Sequence, residues 1–195
     1  MIKSQRQQQK ENTRKLIIDV ALIQFTKDGL IAARTSDIAS AAKVSHGTVF
    51  AHFPTREILL DSVVEEFGMR ITTRLHELVS ENCRLSEVLK AHLKGISEYE
   101  GFYTRLVTEG RSLNESSRNS LIMIHSAISF HISQVAEREI IAGKVRPIPI
   151  ALLYNTWVGL VHHYLVNSDL FAPEGRVLEK YGNELIEHYL SLINK

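Results

Sequence analysis

The chain has 195 residues, of which 44% are hydrophobic and 23% charged, an ordinary globular composition that excludes a disordered or fibrous protein. No apolar run approaches the roughly 18 residues that span a bilayer, and the polar start MIKSQRQQQKENTRK reads as neither secretory signal nor anchor, so no membrane association is expected. The lone Cys83 leaves no intramolecular disulfide and fits a reducing cytoplasm.

The charges are distributed unevenly. Residues 1–56 hold nine Lys/Arg against four acids, a balance of +5, and residues 57–195 hold 14 against 18, a balance of −4. A basic amino-terminal piece on a mildly acidic body suggests a head that binds a polyanion. Residues 1–10, with four glutamines and the cations Lys3, Arg6 and Lys10, read as a flexible tail that could reach a minor groove or a phosphate. From Glu11 to Asp28 the residues Leu16, Ile17, Val20, Ala21, Ile23 and Phe25 recur at helical spacing, and Gly29 supplies a stop. Thr35-Ser36-Asp37 opens a second, short helix in which hydroxyls are expected to cap free N–H groups, and Ile38, Ala39, Ala41 and Ala42 carry it to Lys43-Val44. Ser45 caps a third that runs to Phe53 and is ended by Pro54. Thr55 caps a fourth, with Arg56 and Glu57 in its first turn and an apolar stripe of Ile58, Leu59, Val63, Val64 and Phe67.

Beyond Arg74 the pattern stays helical, with helices near 86–99, 101–112, 116–142, 149–170 and 174–193. No strand alternation and no internal repeat occur, so the class is all-α. The divisions expected are a tail over 1–10, a three-helix head over 11–56 and a helical body over 57–195.

Three short helices within the head, the second and third joined by a tight turn, have the layout of a helix-turn-helix. Ser45, His46, Gly47, Thr48 and Val49 open the third helix, and they are small, polar or able to meet a thymine methyl, which suits a helix end that enters the major groove. Short capped helices in succession also occur in unrelated helical proteins.

The run Asp37-Ile38-Ala39, then Ala42-Lys43-Val44-Ser45-His46-Gly47-Thr48-Val49-Phe50-Ala51-His52-Phe53, then Thr55-Arg56-Glu57-Ile58-Leu59-Leu60, resembles the signature of the TetR family of bacterial transcriptional regulators, and the likeness spans about Asn12 to Phe67. The resemblance implies a homodimer paired through its last two helices, a palindromic operator in double-stranded DNA, and a body that holds a small, largely apolar effector. A two-fold dimer must set its recognition helices about 34–36 Å apart to read two half-sites. It also implies DNA contacts from Arg34, Thr35, Ser36, Ser45, His46, Gly47, Thr48, Val49, Phe50, His52, Thr55 and Arg56, with Arg34, Thr35 and Arg56 on phosphates. Three features depart from the pattern. Lys43 stands where the family has a turn glycine, which strains the chain only if φ there is positive. Phe50 replaces a tyrosine that in relatives bonds a phosphate, and Arg34-Thr35-Ser36 replaces a different opening of the second helix.

In the body, Tyr99, Phe102, Tyr103, Leu106, Met123, His125, Phe130, Trp157, His162 and Tyr164 are candidates to line an effector pocket, since aromatics with a few polar tips suit a mostly apolar ligand; aromatics at helical spacing also make ordinary core. His125 and His131 are six apart and His162 and His163 adjacent, so neither pair shares a helix face, and no metal or other cofactor is expected. Catalytic spacings of Ser/His/Asp or paired carboxylates are also missing from the pattern, which argues against an enzyme. A DNA-binding protein governed by a protein partner, with no small effector, stays open as the alternative.

Overall fold

The computed structural model describes residues 4–80 and 82–195. Its helices are α1 (Gln5–Asp28), α2 (Thr35–Ala41), α3 (His46–His52), α4 (Arg56–Leu78), α5 (Leu85–Ser97), α6 (Glu100–Glu109), α7 (Glu115–Ile141), α8 (Ile150–Val166), α9 (Ser168–Phe171) and α10 (Val177–Ile193), with a 3₁₀ turn at Gly110–Ser112. Among the described residues no strand forms, and an isolated antiparallel bridge joins Val145 to Asn194.

Helix starts follow local capping chemistry, with two departures. Gln5–Lys10, expected as a flexible tail, form the first turns of α1: Ser4 caps the helix by accepting from the Gln7 N–H at 3.3 Å, and the Gln8 side chain donates to Asn12 at 3.1 Å. Glutamine, arginine and lysine are good helix formers, so this stretch needs no apolar stripe to coil. Residues 1–3 of that tail lie outside the described residues. The second departure is α2, whose N-cap is Arg34 with no side-chain cap; the Thr35 hydroxyl meets His46 Nε2 at 3.1 Å instead. Ser45 and Thr55 cap as their positions imply, accepting from the Thr48 N–H at 3.0 Å and the Ile58 N–H at 3.2 Å. Gly29 closes α1 at φ 90, a conformation open to glycine, and a Cβ there would lie 2.9 Å from Glu109 Oε1.

Ile17, Ala21, Phe25, Ile38, Val49 and Phe53 fill the centre of the head. The long α4 starts in the head and continues into the body, where it packs on α5 and α7; α8 lies on α6, α7 and α10. Phe67 of α4 is enclosed by the rings of Tyr99, Phe102 and Tyr103, with centroids 6.0, 5.2 and 6.0 Å away. Fully burying a side chain of this size contributes about 1.5–3 kcal/mol. The α4–α7 crossing is close because Gly68 has no side chain: a Cβ would fall 2.5 Å from Ile124 Cγ1.

Polar seams hold head to body. Arg70 on α4 donates to Asp19 of α1 and, at 2.8 Å, to Glu66. Arg105 of α6 donates to the carbonyls of Thr26 (3.1 Å) and Lys27 (3.2 Å), while Glu109 accepts from the Leu30 N–H at 2.8 Å. Within the body, Asp61 of α4 accepts from Asn114, at 3.1 Å, and from Ser117 at the start of α7.

Candidate nucleic-acid interface

The turn between α2 and α3 decides how α3 stands. The Lys43 N–H donates to Ser40 O and the Val44 N–H to Ala39 O, both at 3.1 Å, so that the last carbonyls of α2 are satisfied as the chain reverses. Lys43 carries φ 55, the left-handed region, and is the positive-φ residue other than glycine among those described. After that turn Ser45 caps α3 and pairs its hydroxyl with that of Thr48 at 2.8 Å. Ser45, His46 and Gly47 are exposed and Thr48 half-buried, so hydroxyls, an imidazole and an open backbone end occupy the outer surface of α3, with no carboxylate in its first turn. Donors and acceptors so placed on a helix end can meet base edges in a major groove, and the missing Cβ of Gly47 allows close approach.

Two residues expected at this interface sit elsewhere. Val49 is 1% exposed and belongs to the core of the head, because at 3.6 residues per turn positions 49 and 53 face α1 and α2, whereas 46 and 50 face outward. Arg56 is turned inward: its guanidinium donates to the carbonyls of Ala33 (2.9 Å), Ile31 (2.9 Å) and Leu30, and lies 5.6 Å from the Phe25 ring. It braces the loop between α1 and α2 with donors that a phosphate contact would need. Nothing in its sequence position signals this, since the partner carbonyls are 23 to 26 residues away.

The remaining expected positions cluster around α3. Arg34 and Ser36 are exposed beside it, and Thr35 is joined to it through His46. Phe50 is 39% exposed and packs edge-on against the His46 ring, centroids 4.7 Å apart, so it shapes the surface without a hydroxyl to offer. Thr55 is occupied as a cap yet exposed, and His52 is half-buried, its pKa lowered by desolvation and by the neighbouring charges of Lys10 and Arg14.

The candidate effector residues divide as well. Tyr103 and His162 meet across α6 and α8 at 2.7 Å, His125 Nδ1 lies 3.2 Å from the Tyr154 hydroxyl, and the Trp157 N–H donates to His92 at 3.0 Å. The His125 and His162 rings are 5.7 Å apart, so four helices bring a paired polar cluster to the centre of the body. Burial holds all its members neutral: desolvation lowers His92 to about 3 and His162 to about 4, and lifts the Tyr103 and Tyr154 hydroxyls, the latter to about 12. Nothing in the sequence near His92 or Tyr154 marks either as a partner in this cluster, since their partners lie 65 and 29 residues away. Among the described residues no buried side-chain nitrogen or oxygen lacks a partner, and no group of three or more His, Cys, Asp or Glu is placed to hold a metal ion.

Phe102 and Leu106 are sealed in the core, and Tyr99 is half-buried against Phe67. Met123 and Phe130 do not join the cluster: they are 69% and 59% exposed, on a stripe of α7 that meets solvent. Met123 borders an open groove of about 440 Å³ between α4 and α7 with Met69 and Ile124. Tyr164 leaves the cluster too, since two residues along a helix rotate it by about 200° from His162; it stacks on Phe171 at 4.2 Å. No helix among the described residues is long and apolar enough to cross a membrane.

Residues 17–63 match the family model for bacterial regulatory proteins, tetR family. The HTH-type transcriptional repressor Rv3405c of Mycobacterium tuberculosis is 36% identical over 67 residues, 34% of this chain and 36% of that one, so the chain matches about a third of that relative's length. The nucleoid occlusion factor SlmA of Aliivibrio fischeri is 27% identical over 161 residues, 78% of this chain and 81% of that protein. Among solved structures, the transcriptional regulator FadR from Bacillus subtilis, in complex with stearoyl-CoA, superposes with a TM-score of 0.76 over 91% of this chain and 97% of its own at 19% identity, which shows a shared fold.

Proposed function

The chain belongs to the TetR family of bacterial transcriptional regulators, and we propose that it is a repressor that grips a palindromic operator as a homodimer and releases it when a small, largely apolar molecule enters the body. The observation that carries the DNA half of this reading is the outer surface of α3, capped, free of acids and rich in small polar groups. Ser45, His46, Gly47 and Thr48 face bases in this reading, while Arg34, Thr35, Ser36 and Thr55 serve the phosphates. Dimerisation is assigned to α8 and α10. Leu152 and Val166 on α8 and Leu192 on α10 are exposed, and a Cβ on Gly159 would meet nothing within 4 Å, which leaves room for a second helix to approach.

The paired cluster at the centre of the body supports the effector half. It is neutral and has no counter-charge within it, so a molecule bringing a full charge there would lose its hydration without compensation. An effector with an apolar body and an uncharged hydroxyl or carbonyl tip suits it. The structurally similar FadR was solved in complex with stearoyl-CoA.

Footprinting of the chain's own upstream intergenic DNA tests the reading: a protected palindrome is expected, and failure of any sequence to outcompete random duplex would refute it. Thr48→Ala is expected to change base preference at one position of each half-site by about 1–3 kcal/mol. The second reading, control by a protein partner, predicts operator release on adding a protein fraction and by none of a panel of apolar small molecules.

A further inference from the structure

The first turns of α1 have no role in the packing of the head. Every residue from Gln5 to Lys10 is exposed, the stretch contains no acid, and the buried positions of α1 begin at Ile17. Ordering such a helix start gains no apolar burial to offset the entropy it loses. What these turns do is wall one side of a cleft of about 690 Å³ whose other side is α3. Arg6, Gln9, Lys10 and Thr13 line it from α1, and Thr48 and His52 from α3. The lining holds two cations, a histidine and amide and hydroxyl groups, and no carboxylate.

Arg6 and Lys10 are four residues apart, so they share a face and stand about 6 Å apart along the helix axis. A DNA strand advances about 3.4 Å per phosphate along the duplex, so two such cations match a stretch of about two nucleotides. The cleft adjoins α3 along Thr48 and His52, so a strand lying in it would flank bases met by the start of α3. A strand of regular negative charge is the occupant that a cationic, acid-free slot beside a base-reading helix fits. Desolvation lowers the pKa of His52, and the charges of Lys10 and Arg14 lower it further, which fits a positive field on this side of α3.

We propose that the amino-terminal turns of α1 and the edge of α3 form a second DNA contact, a cleft that seats the sugar-phosphate strand beside the bases read by α3, with Arg6 and Lys10 each neutralising a phosphate. This rests on the reading of α3 as the base-contacting helix. It assigns a binding role to residues outside the helix-turn-helix, and it makes the Gln9 amide a donor to the same strand. In a dimer the cleft occurs twice, which adds four phosphate contacts.

The test uses the full chain and a duplex that the wild-type protein enriches from a random-sequence pool. Affinity is measured by fluorescence anisotropy across a salt series for wild type, for Arg6→Gln with Lys10→Gln, and for Thr48→Ala. Because each phosphate contact adds about 0.9 to the salt slope, the double variant is expected to flatten the slope by about 3.6 and to lose about tenfold or more in affinity at low salt, with its preferred sequence unchanged. Both changes are exposed and glutamine is a good helix former, so circular dichroism and melting should match wild type. An unchanged slope and affinity in the double variant, alongside an altered base preference in Thr48→Ala, would overturn the cleft and leave the base-reading role standing. A wild-type protein that enriches no sequence would overturn the base-reading role, and the cleft with it.

Discussion

Hydroxyls and ring nitrogens gather in two places, on α3 and at the centre of the body, and the two sets are in opposite states. Ser45, His46 and Thr48 are held to one another and to Thr35 but remain open to water on the outer side. The pair Trp157–His92 is shut off, the pairs Tyr103–His162 and His125–Tyr154 are part-buried with their histidines half-buried, and every buried member has found a partner. The contrast teaches what each set can exchange. A group in water can trade a water molecule for a base edge at little net cost, so α3 is suited to sampling many sequences. A buried pair can be opened only by something that replaces both of its hydrogen bonds, which confines the body to a narrow class of molecules.

The largest effect that would test this contrast comes from pH. His92 and His162 have pKa values of about 3 and about 4 in the folded chain against 6.5 when unfolded. Below pH 6.5 the unfolded chain therefore takes up protons that the folded chain refuses. Stability is intact above that pH and is lost as the pH falls toward 4. With two such groups at about 1.4 kcal/mol per unit each, a loss on the order of 5 kcal/mol is expected between pH 6.5 and 4.5. Urea unfolding followed through the single Trp157, which donates to His92, reports on the cluster directly. A flat stability over that range would mean the histidines are wet, and the contrast between the two sets would collapse.

A smaller effect separates bracing from reading within the head. Arg56→Ala removes the donors that hold the Leu30, Ile31 and Ala33 carbonyls and should destabilise the head by about 1.5–3 kcal/mol, the range for bonds to a charged group. Arg56→Lys should recover little of it, since one ammonium cannot reproduce a planar fork. Thermal melting gives the loss, and the salt slope of DNA binding should stay at its wild-type value. A slope lowered by Arg56→Ala would place this residue on a phosphate after all.

Most of the fold was legible because its signals are local. Ser45 and Thr55 cap from within three residues of their donors, Gly29 stops α1 by its own φ, and the apolar stripe of α4 repeats along a single element. The site was legible only where its chemistry points outward. Periodicity gave the inward face of α3 no different look from the outward one, so Val49 read as a contact although it is core. Nor could spacing pair His92 with Trp157, 65 residues apart, or Glu109 with Leu30, 79 apart, because such partners are fixed by how helices pack and not by the residues beside them. The tail misread for the reverse reason: Gln5–Lys10 lack an apolar stripe, yet a cap and good helix formers suffice.

The smallest effect expected lies in the turn that sets α3, where the chain offers its own control. Both α2 and α7 end with the same pair of backbone bonds. In α2 the Lys43 N–H reaches Ser40 O and the Val44 N–H reaches Ala39 O; in α7 the Gly143 N–H reaches Ile140 O and the Lys144 N–H reaches Glu139 O. The residue at the reversal has φ 55 in the first and φ 72 in the second, but it is lysine in one and glycine in the other. A side chain in this region costs about 1–2 kcal/mol, part of which glycine gives back through the greater freedom of its unfolded chain, about 0.5–1 kcal/mol. Lys43→Gly should therefore stabilise the head by about 0.5 kcal/mol, and Gly143→Ala should destabilise the body by about 1 kcal/mol. Neither is expected to change the preferred DNA sequence, because the turn's bonds come from the backbone and α3 keeps its angle. Chemical denaturation of the two variants in parallel measures both signs. A loss of stability in Lys43→Gly would show that the lysine side chain contributes more at this turn than its backbone costs.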